Sequence, residues 1–274
     1  MFKSMKTKRA LYLILLLTVL GLGAHSCFQD LDQNPPFDYP EEPPKPPISE
    51  DGQLFHMAFE DNFRDASSNK ELTVIGTPGF SEGKVNRAYS GATNSYLTFR
   101  LSDMPAQLGS AITVGFWYKV NANPDRAGIV VVSPPSEGAP ANAQNNRTSG
   151  FRIFREDAGG KQRIKANVGN GTADSWLDGV EKADIDPAIA PWKYITLVIT
   201  TGKALFYIDG EEVASTDLSA ISWAGCDILS IGSGEPRFNE WGHLSDNSLI
   251  DELRIYNRAL TAAQIKEIIN HDSE

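Results

Sequence analysis

Cysteine, histidine and long apolar runs are scarce in this chain of 274 residues, and each scarcity removes a class of chemistry. The cysteines are Cys27 and Cys226, too few for a disulfide framework or a thiolate metal cluster. The histidines, His25, His56, His243 and His271, have neither metal-ligand spacing nor the order of a nucleophile, histidine and acid. No glycine-rich segment links a strand to a helix, so a phosphate loop is absent. The apolar run at residues 10–20 falls short of the roughly 20 residues that a membrane span requires. Basic residues are also short: 25 Lys and Arg face 35 Asp and Glu, a formal net charge of −10. That balance argues against nucleic acid or an anionic membrane surface as partner, and leaves neutral ligands open.

What is present begins with Lys3, Lys6, Lys8 and Arg9 before the apolar run, the layout of a secretory signal. Small residues follow, up to Ser26-Cys27, and residues 1–26 resemble a bacterial lipoprotein signal peptide. The resemblance implies cleavage before Cys27 and a lipid on that cysteine as the membrane anchor; the alternative is an ordinary cleaved signal with an incidental cysteine. Cys226 is then expected as a small buried apolar side chain near Ile228, Leu229 and Ile231. Residues 27–52 form a Pro/acid-rich linker, with Pro35, Pro36, Pro40, Pro43, Pro44, Pro46 and Pro47 among Asp30, Asp32, Asp38, Glu41, Glu42 and Glu50. Such a segment cannot bury apolar surface and extends as a polyproline-like spacer. Acids just after Cys27 resemble those of Gram-negative lipoproteins displayed on the outer surface, so the expected location is the outer membrane, facing the exterior.

Residues 53–271 read as one all-β domain, with period-two patterns broken by Gly, Pro, Asn and Asp. Strands are predicted at 95–101, 111–120, 128–133, 150–155, 163–168, 193–200, 204–208, 212–215, 227–232 and 248–256, after a first one carrying Phe55, Met57 and Phe59. Asp209-Gly210 between two alternating runs predicts a type I′ hairpin turn. So many strands predict an antiparallel two-sheet sandwich. In the closing strand, period two places Asp251 on one face with Leu249, Leu253 and Ile255, and a buried carboxylate there needs a partner. Thr261 and Gln264 then have capping-box spacing, with Leu260 able to staple onto Ile265, so a short C-terminal helix ends the chain.

Several of these segments, in this order, resemble laminin-G-like domains. They are Phe59-Glu60-Asp61-Asn62 with Asp65, Ser95-Tyr96-Leu97, residues 112–119, Trp192 to Leu197, residues 204–211, Ser230-Ile231-Gly232 and residues 250–260. The resemblance implies the concanavalin A-like jelly roll, shared by lectins, glucanases and adhesive modules, and fold alone does not choose among them. Relatives of this kind commonly hold calcium. Phase continues from Phe59 to Asp61, and first and last strands are often neighbours in jelly rolls. The expectation is therefore a structural Ca²⁺ on Asp61 and Asp251, with Asn62 or Asp65 and backbone carbonyls completing the shell. The alternative is that Asp251 pairs with Arg254, another arginine or backbone N–H groups.

Retaining jelly-roll glucanases need two carboxyls about 5 Å apart, supplied by alternating acids on one strand. No such run exists here; Glu181, Asp184 and Asp186 come nearest, in a Pro-flanked segment without strand periodicity. Long connections at 134–149, 169–191 and 233–247 are the better candidates for function. Two carry a tryptophan among polar groups: Trp176 beside Asp174 and Asp178, and Trp241 after Arg237-Phe238-Asn239-Glu240. An aromatic face beside amide, carboxylate and guanidinium groups suits a sugar ring; the alternative is that both tryptophans plug the ends of the sandwich. Trp192 reads as core with Tyr194 and Val198, and Trp117 as an outer-face residue that either meets a glycan or lies under a loop. The functional expectation is a non-catalytic carbohydrate-binding surface lipoprotein using Trp241, Phe238, Arg237, Asn239, Glu240 and Trp176. A protein-interaction or adhesion module comes second, and a glycoside hydrolase third.

Overall fold

A computed structural model describes residues 49–135, 146–239 and 241–274. The signal, Cys27 and most of the linker lie outside the described residues, as does Glu240. In chain order the strands are β1 (Gln53–Met57), β2 (Arg64–Asp65), β3 (Lys70–Glu71), β4 (Thr73–Ile75), β5 (Gly79–Glu82), β6 (Arg87–Ser90), β7 (Tyr96–Arg100), β8 (Ile112–Lys119) and β9 (Ala127–Val132). They continue as β10 (Phe151–Ala158), β11 (Lys161–Gly169), β12 (Asp174–Asp178), β13 (Asp184–Ile185), β14 (Lys193–Ile199), β15 (Gly202–Ile208), β16 (Glu211–Leu218), β17 (Ile228–Ile231) and β18 (Leu249–Tyr256), before helix α1 (Ala262–Asp272).

Among the described residues these strands form two eight-stranded antiparallel sheets and a small β2–β3 ribbon. The first sheet runs β16-β15-β14-β8-β18-β6-β5, with β1 also on β18; the second runs β12-β11-β10-β9-β17-β7-β4, with β13 on β11. Alternation sends Val114, Phe116, Leu197 and Phe206 from the first sheet, and Leu97, Ile153, Ile164 and Leu229 from the second, into one shared core. The antiparallel jelly-roll sandwich with a short C-terminal helix is thus the observed fold. Asp209 and Gly210 have φ of 53° and 75°, as a type I′ turn requires. Half-buried Cys226 packs against the core, where burial pushes its thiol up to about 11.

The outer face of the first sheet is also apolar. Trp117, Tyr194, Val198, Tyr207 and Tyr256 cluster there with Leu260, Ile265 and Ile268, so α1 covers that face. Thr261 and Gln264 close both halves of the capping box that sets the helix start. Trp117 is therefore covered, by a helix and not a loop, and its indole N–H donates to Asp272 Oδ2 at 3.0 Å. Trp192 packs on the same outer cluster and not in the inter-sheet core.

The closing strand departs from strict alternation. Asp251 faces Trp117 and Arg254 faces Gly115, so Glu252 and Leu253 together oppose the single Phe116. This is a β-bulge, with Glu252 at φ 49°. It changes the phase: Ile250, Leu253 and Ile255 point into the core, while Asp251 shares the outer face with its register partner Trp117. Asp251 therefore does not share a face with Leu253 and Ile255, as uninterrupted period two would require. Its Oδ2 accepts the N–H groups of Lys84 and Val85, each at 2.9 Å, and Oδ1 that of Glu252 at 2.8 Å. Arg254 donates to Asp272 at 2.8 and 3.0 Å and also to Glu252, which bonds His56 Nε2 at 2.7 Å.

Asp272 thus holds a buried guanidinium and a buried indole N–H. Replacing it by alanine leaves the indole N–H unpartnered and the guanidinium with Glu252 alone, and is expected to cost about 3 kcal/mol. Urea denaturation checks this; a loss under about 1 kcal/mol would show that the helix is held by its apolar side alone.

Candidate functional site

The second sheet also has an apolar spot on its outer face, where Val131 of β9 and Phe154 of β10 meet Phe238 from the β17–β18 connection. That connection folds back onto the sheet, because Gly128 donates to Leu244 O at 3.1 Å and Asp246 to Gly232 O at 2.7 Å. A Cβ on Gly128 would lie 2.0 Å from the backbone nitrogen of Gly234, so glycine is what admits the approach. Phe238, 1% exposed, stacks on His243 at 4.6 Å and 17° and leans on Phe154 at 5.3 Å. Upon this base Trp241 and Trp176 stand as a pair, centroids 6.3 Å apart and planes 23° from parallel. They are 39% and 40% exposed, among the few large apolar side chains left in solvent. The Arg147 guanidinium lies 4.5 Å from the Trp241 centroid and 5.5 Å from that of Trp176.

Trp176 stands on a strand, β12, and not in a loop. Leu177 points inward at 1% exposure, while Trp176 points out. That alternation was the available signal, and a single inward residue among polar neighbours was too little to reveal it.

Charged groups around the pair are matched. Asp174 lies 3.6 Å from Arg147 and accepts from Asn167 at 3.1 Å. Lys165 reaches both Glu156 at 3.2 Å and Asp178 at 3.1 Å. Glu156 also bonds His243 Nε2 at 3.2 Å, and a carboxylate only accepts, so the ring donates from that nitrogen. The His243 bond, opposed by burial and reinforced by Lys165, sets the Glu156 carboxyl at about 2. Burial in turn lowers His243, which Glu156 raises only in part. Despite burial, the Val180 N–H and Lys165 hold Asp178 below the usual carboxylate range.

Arg152 organises the site from beneath. Fully buried on the same outer face, it donates to the backbone oxygens of Asn146, Arg147 and Ser149, and to Ser133 and Asn167. Five bonds from one guanidinium thereby fix the 146–149 segment and the backbone of Arg147. Sequence reasoning missed Arg147, Arg152 and the Glu156–Lys165–Asp178 set, since only the pairing of β10, β11 and β12 brings them together.

Of the residues expected to bind ligand, Trp241, Trp176 and Phe238 meet, with Phe238 as buried support. Arg237 turns away to Asp227, at 2.6 and 3.2 Å. Asn239 accepts the Gly242 N–H through its carbonyl and so shapes the turn before the exposed indole. Trp223 packs against the core and donates to Gly109 O at 2.9 Å.

The residues expected to share Ca²⁺ do not fit a common ion. Phe59 and Asp61 both have positive φ, 58° and 53°, so strand phase ends at Met57 and Asp61 emerges exposed, 3.0 Å from Arg87. Asn62 caps Arg64 N at 3.0 Å, and buried Asp65 is filled by the N–H groups of His56, Ser67 and Ser68. Asp251 takes backbone N–H groups, the alternative left open for it. Among the described residues no group of three His, Cys, Asp or Glu is placed for a metal. Asp184 bonds Arg163 at 2.6 and 3.0 Å, and Asp186 caps Ala188 N at 2.9 Å, so both acids are held in local contacts.

Because Glu156 lies below its ordinary 4.5, its contribution to stability is complete above that pH and is lost as pH falls towards 2. Glu156→Gln should therefore melt lower than the parent at neutral pH, with the gap closing through that acid window. A gap independent of pH would mean that the charge carries nothing.

The comparisons agree with this architecture. A laminin-G family model, described as Concanavalin A-like lectin/glucanases superfamily, matches residues 91–266. No curated protein sequence matches the chain. Among solved structures, domain 4 of AbnA, a GH43 extracellular arabinanase from Geobacillus stearothermophilus, in complex with arabinotriose, is similar at a TM-score of 0.56 and 20% identity. The alignment covers 79% of this chain and 97% of that one. The receptor binding domain of botulinum neurotoxin C/D mosaic serotype gives 0.55 at 12% identity, over 80% of this chain and 51% of that one. The binding domain of botulinum neurotoxin DC in complex with SialylT gives 0.55 at 11%, over 81% and 52%. This chain therefore spans about half of those toxin domains, and at such identities the likeness is one of fold. With the family model covering more than half of its residues, the chain belongs to the concanavalin A-like lectin/glucanases superfamily.

Proposed function

We propose that this chain is a non-catalytic carbohydrate-binding module, exported and held at the outer cell surface by a lipid on Cys27. The observation that carries the binding reading is the stacked, half-exposed Trp176–Trp241 pair on a rigid sheet face. Two indoles present area for the C–H faces of sugar rings, and Arg147, Asp174 and Lys165 stand near for hydroxyl groups. The charges there are matched, which favours a neutral poly- or oligosaccharide. Similarity to an arabinanase domain solved with arabinotriose supports the class without fixing the sugar.

Chemistry argues against hydrolysis at this face. A glycosidase acid must stay protonated until it meets the leaving oxygen, which calls for a raised pKa. Glu156 and Asp178 are shifted the other way, held as carboxylates by His243, Val180 and Lys165. They serve as ion-pair partners.

Trp241→Ala and Trp176→Ala should each weaken glycan binding about 10-fold or more, roughly 1.4 kcal/mol, without changing the fold. A glycan array followed by calorimetry reads this, and no binding by the intact domain to any glycan would sink the proposal in favour of a protein-contact module. The anchor is tested separately. Cys27→Ser should move the protein from the membrane to the soluble fraction, and retention in the membrane would refute lipidation.

A further inference from the structure

The two ends of the tryptophan ledge differ in their hydrogen bonding. Period two puts Asp174, Trp176 and Asp178 on one face of β12, so the indole has a carboxylate on each side along the strand. At the Asp178 end the polar groups are spent on one another. Asp178 accepts the Val180 N–H at 2.9 Å and meets Lys165 at 3.1 Å, while Glu156 uses one oxygen on Lys165 and the other on His243.

At the Asp174 end they are not. Arg147 Nε stands 3.6 Å from Asp174 Oδ2, an ion pair too long for a hydrogen bond, and the guanidinium makes no hydrogen bond among the described residues. Asp174 Oδ2 accepts from Asn167 at 3.1 Å, and Oδ1 accepts nothing among the described residues. The Arg147 and Asp174 side chains keep 28% and 20% of their surface in solvent, and none of these unpartnered atoms is among the buried ones. A ligand lying on the indoles can reach them.

The pair is also held in place. Arg152 donates to Arg147 O at 3.2 Å and to Asn167 Oδ1 at 3.3 Å, and Asn167 in turn donates to Asp174. One buried guanidinium thus positions both partners. Contact with Trp241 and Trp176 keeps the Arg147 head against the stacking surface.

A planar fork of donors beside an open acceptor complements two adjacent hydroxyls, one accepting from the guanidinium and the other donating to the carboxylate. An acidic sugar fits poorly, because the Asp174 charge repels what Arg147 would attract. We propose that, given the stacking role proposed above for Trp176 and Trp241, the ledge selects neutral glycans whose residues carry two adjacent free hydroxyls, read by Arg147 and Asp174. Linkage then becomes the selected feature. Chains of 1,4-linked pyranoses or 1,5-linked arabinofuranoses keep a 2,3-diol on every residue, whereas the interior of a 1,3-linked glucan has no adjacent pair.

The test titrates the full chain with 1,5-arabinan, xylan, 1,4-mannan, a 1,3-glucan and polygalacturonate. The tightest ligand should be one of the three neutral diol-bearing polymers, at least about 10-fold tighter than the 1,3-glucan. Arg147→Met should abolish that preference, and Arg147→Lys should not restore it, since a point charge does not reproduce the fork. Asp174→Asn should raise affinity for polygalacturonate at least about 10-fold, a gain that a merely structural carboxylate would not give. Equal affinity for the 1,3-glucan and the tightest diol-bearing polymer, with both lost in Trp241→Ala, would leave the stacking role standing and overturn the selection by Arg147 and Asp174. A preference retained in Arg147→Met or Arg147→Lys, or no gain on polygalacturonate in Asp174→Asn, would overturn it as well. Binding of none of the polymers by the parent would remove the stacking role and this selection together.

Discussion

One extra residue in β18 organises the closure of this domain. Strict alternation would have sent Asp251 and Leu253 to the same side; placing Glu252 and Leu253 opposite Phe116 lets the aliphatic residues keep the core while the acid leaves it. Asp251 then gathers the β5–β6 turn through two N–H groups, and Glu252 gathers β1 through His56. Arg254 gathers the helix through Asp272. Burial pushes the Asp251 carboxyl up to about 8 while three backbone donors pull the other way, so the seam depends on those donors staying in register. A φ of 49° at a glutamate is a local strain, sustained because its carboxylate is fixed by His56 and Arg254.

The sandwich has two outer faces and treats them differently. Under α1, Trp117, Tyr194 and Tyr256 vanish from solvent, and the aromatic surface is spent on holding the C-terminus. On the second sheet the β17–β18 connection is shorter in reach: Phe238 and His243 cover Phe154, and the cover ends at Trp241. The result is a supported aromatic ledge whose lower layer is dry and whose upper layer is open. Such a ledge rests on paired strands and on a connection tied back to the sheet at Gly128 and Gly232.

Much of this was legible in the chain, and what was not has physical causes. The long β8, β10, β14 and β18 runs declare themselves because each feeds a buried face. Short edge strands such as β4, β5 and β12 did not, since one inward residue gives no period. Asp61 and Asp251 were misplaced for related reasons: a positive φ and a bulge each break alternation without leaving a glycine or proline to mark it. At the site, tryptophans in polar surroundings were visible as residue types. Arg237 was assigned to the same face by proximity in sequence, yet it turns to Asp227, whereas Arg147 arrives from a distant connection. Nearness along a loop says little about which side of it a side chain takes.

Buried charge underlies the placing of two connections. Arg152 beneath Arg147, and Arg155 beside Asp246, carry fully buried guanidiniums that an apolar core would not need. Each spends most of its donors on acceptors in connections, residues 146–149 in one case and Pro124 O and Asp246 in the other, and one on β11, at Asn167 and Gln162 respectively. Apolar replacements of similar volume would fill the space without specifying where those connections lie. Connections have no ladder to fix them, so a planar, multiply donating group is an efficient means of giving a loop one conformation. In this fold the arginines therefore act as internal ligands for the described parts of those connections, at residues 146–149 and around Pro124 and Asp246.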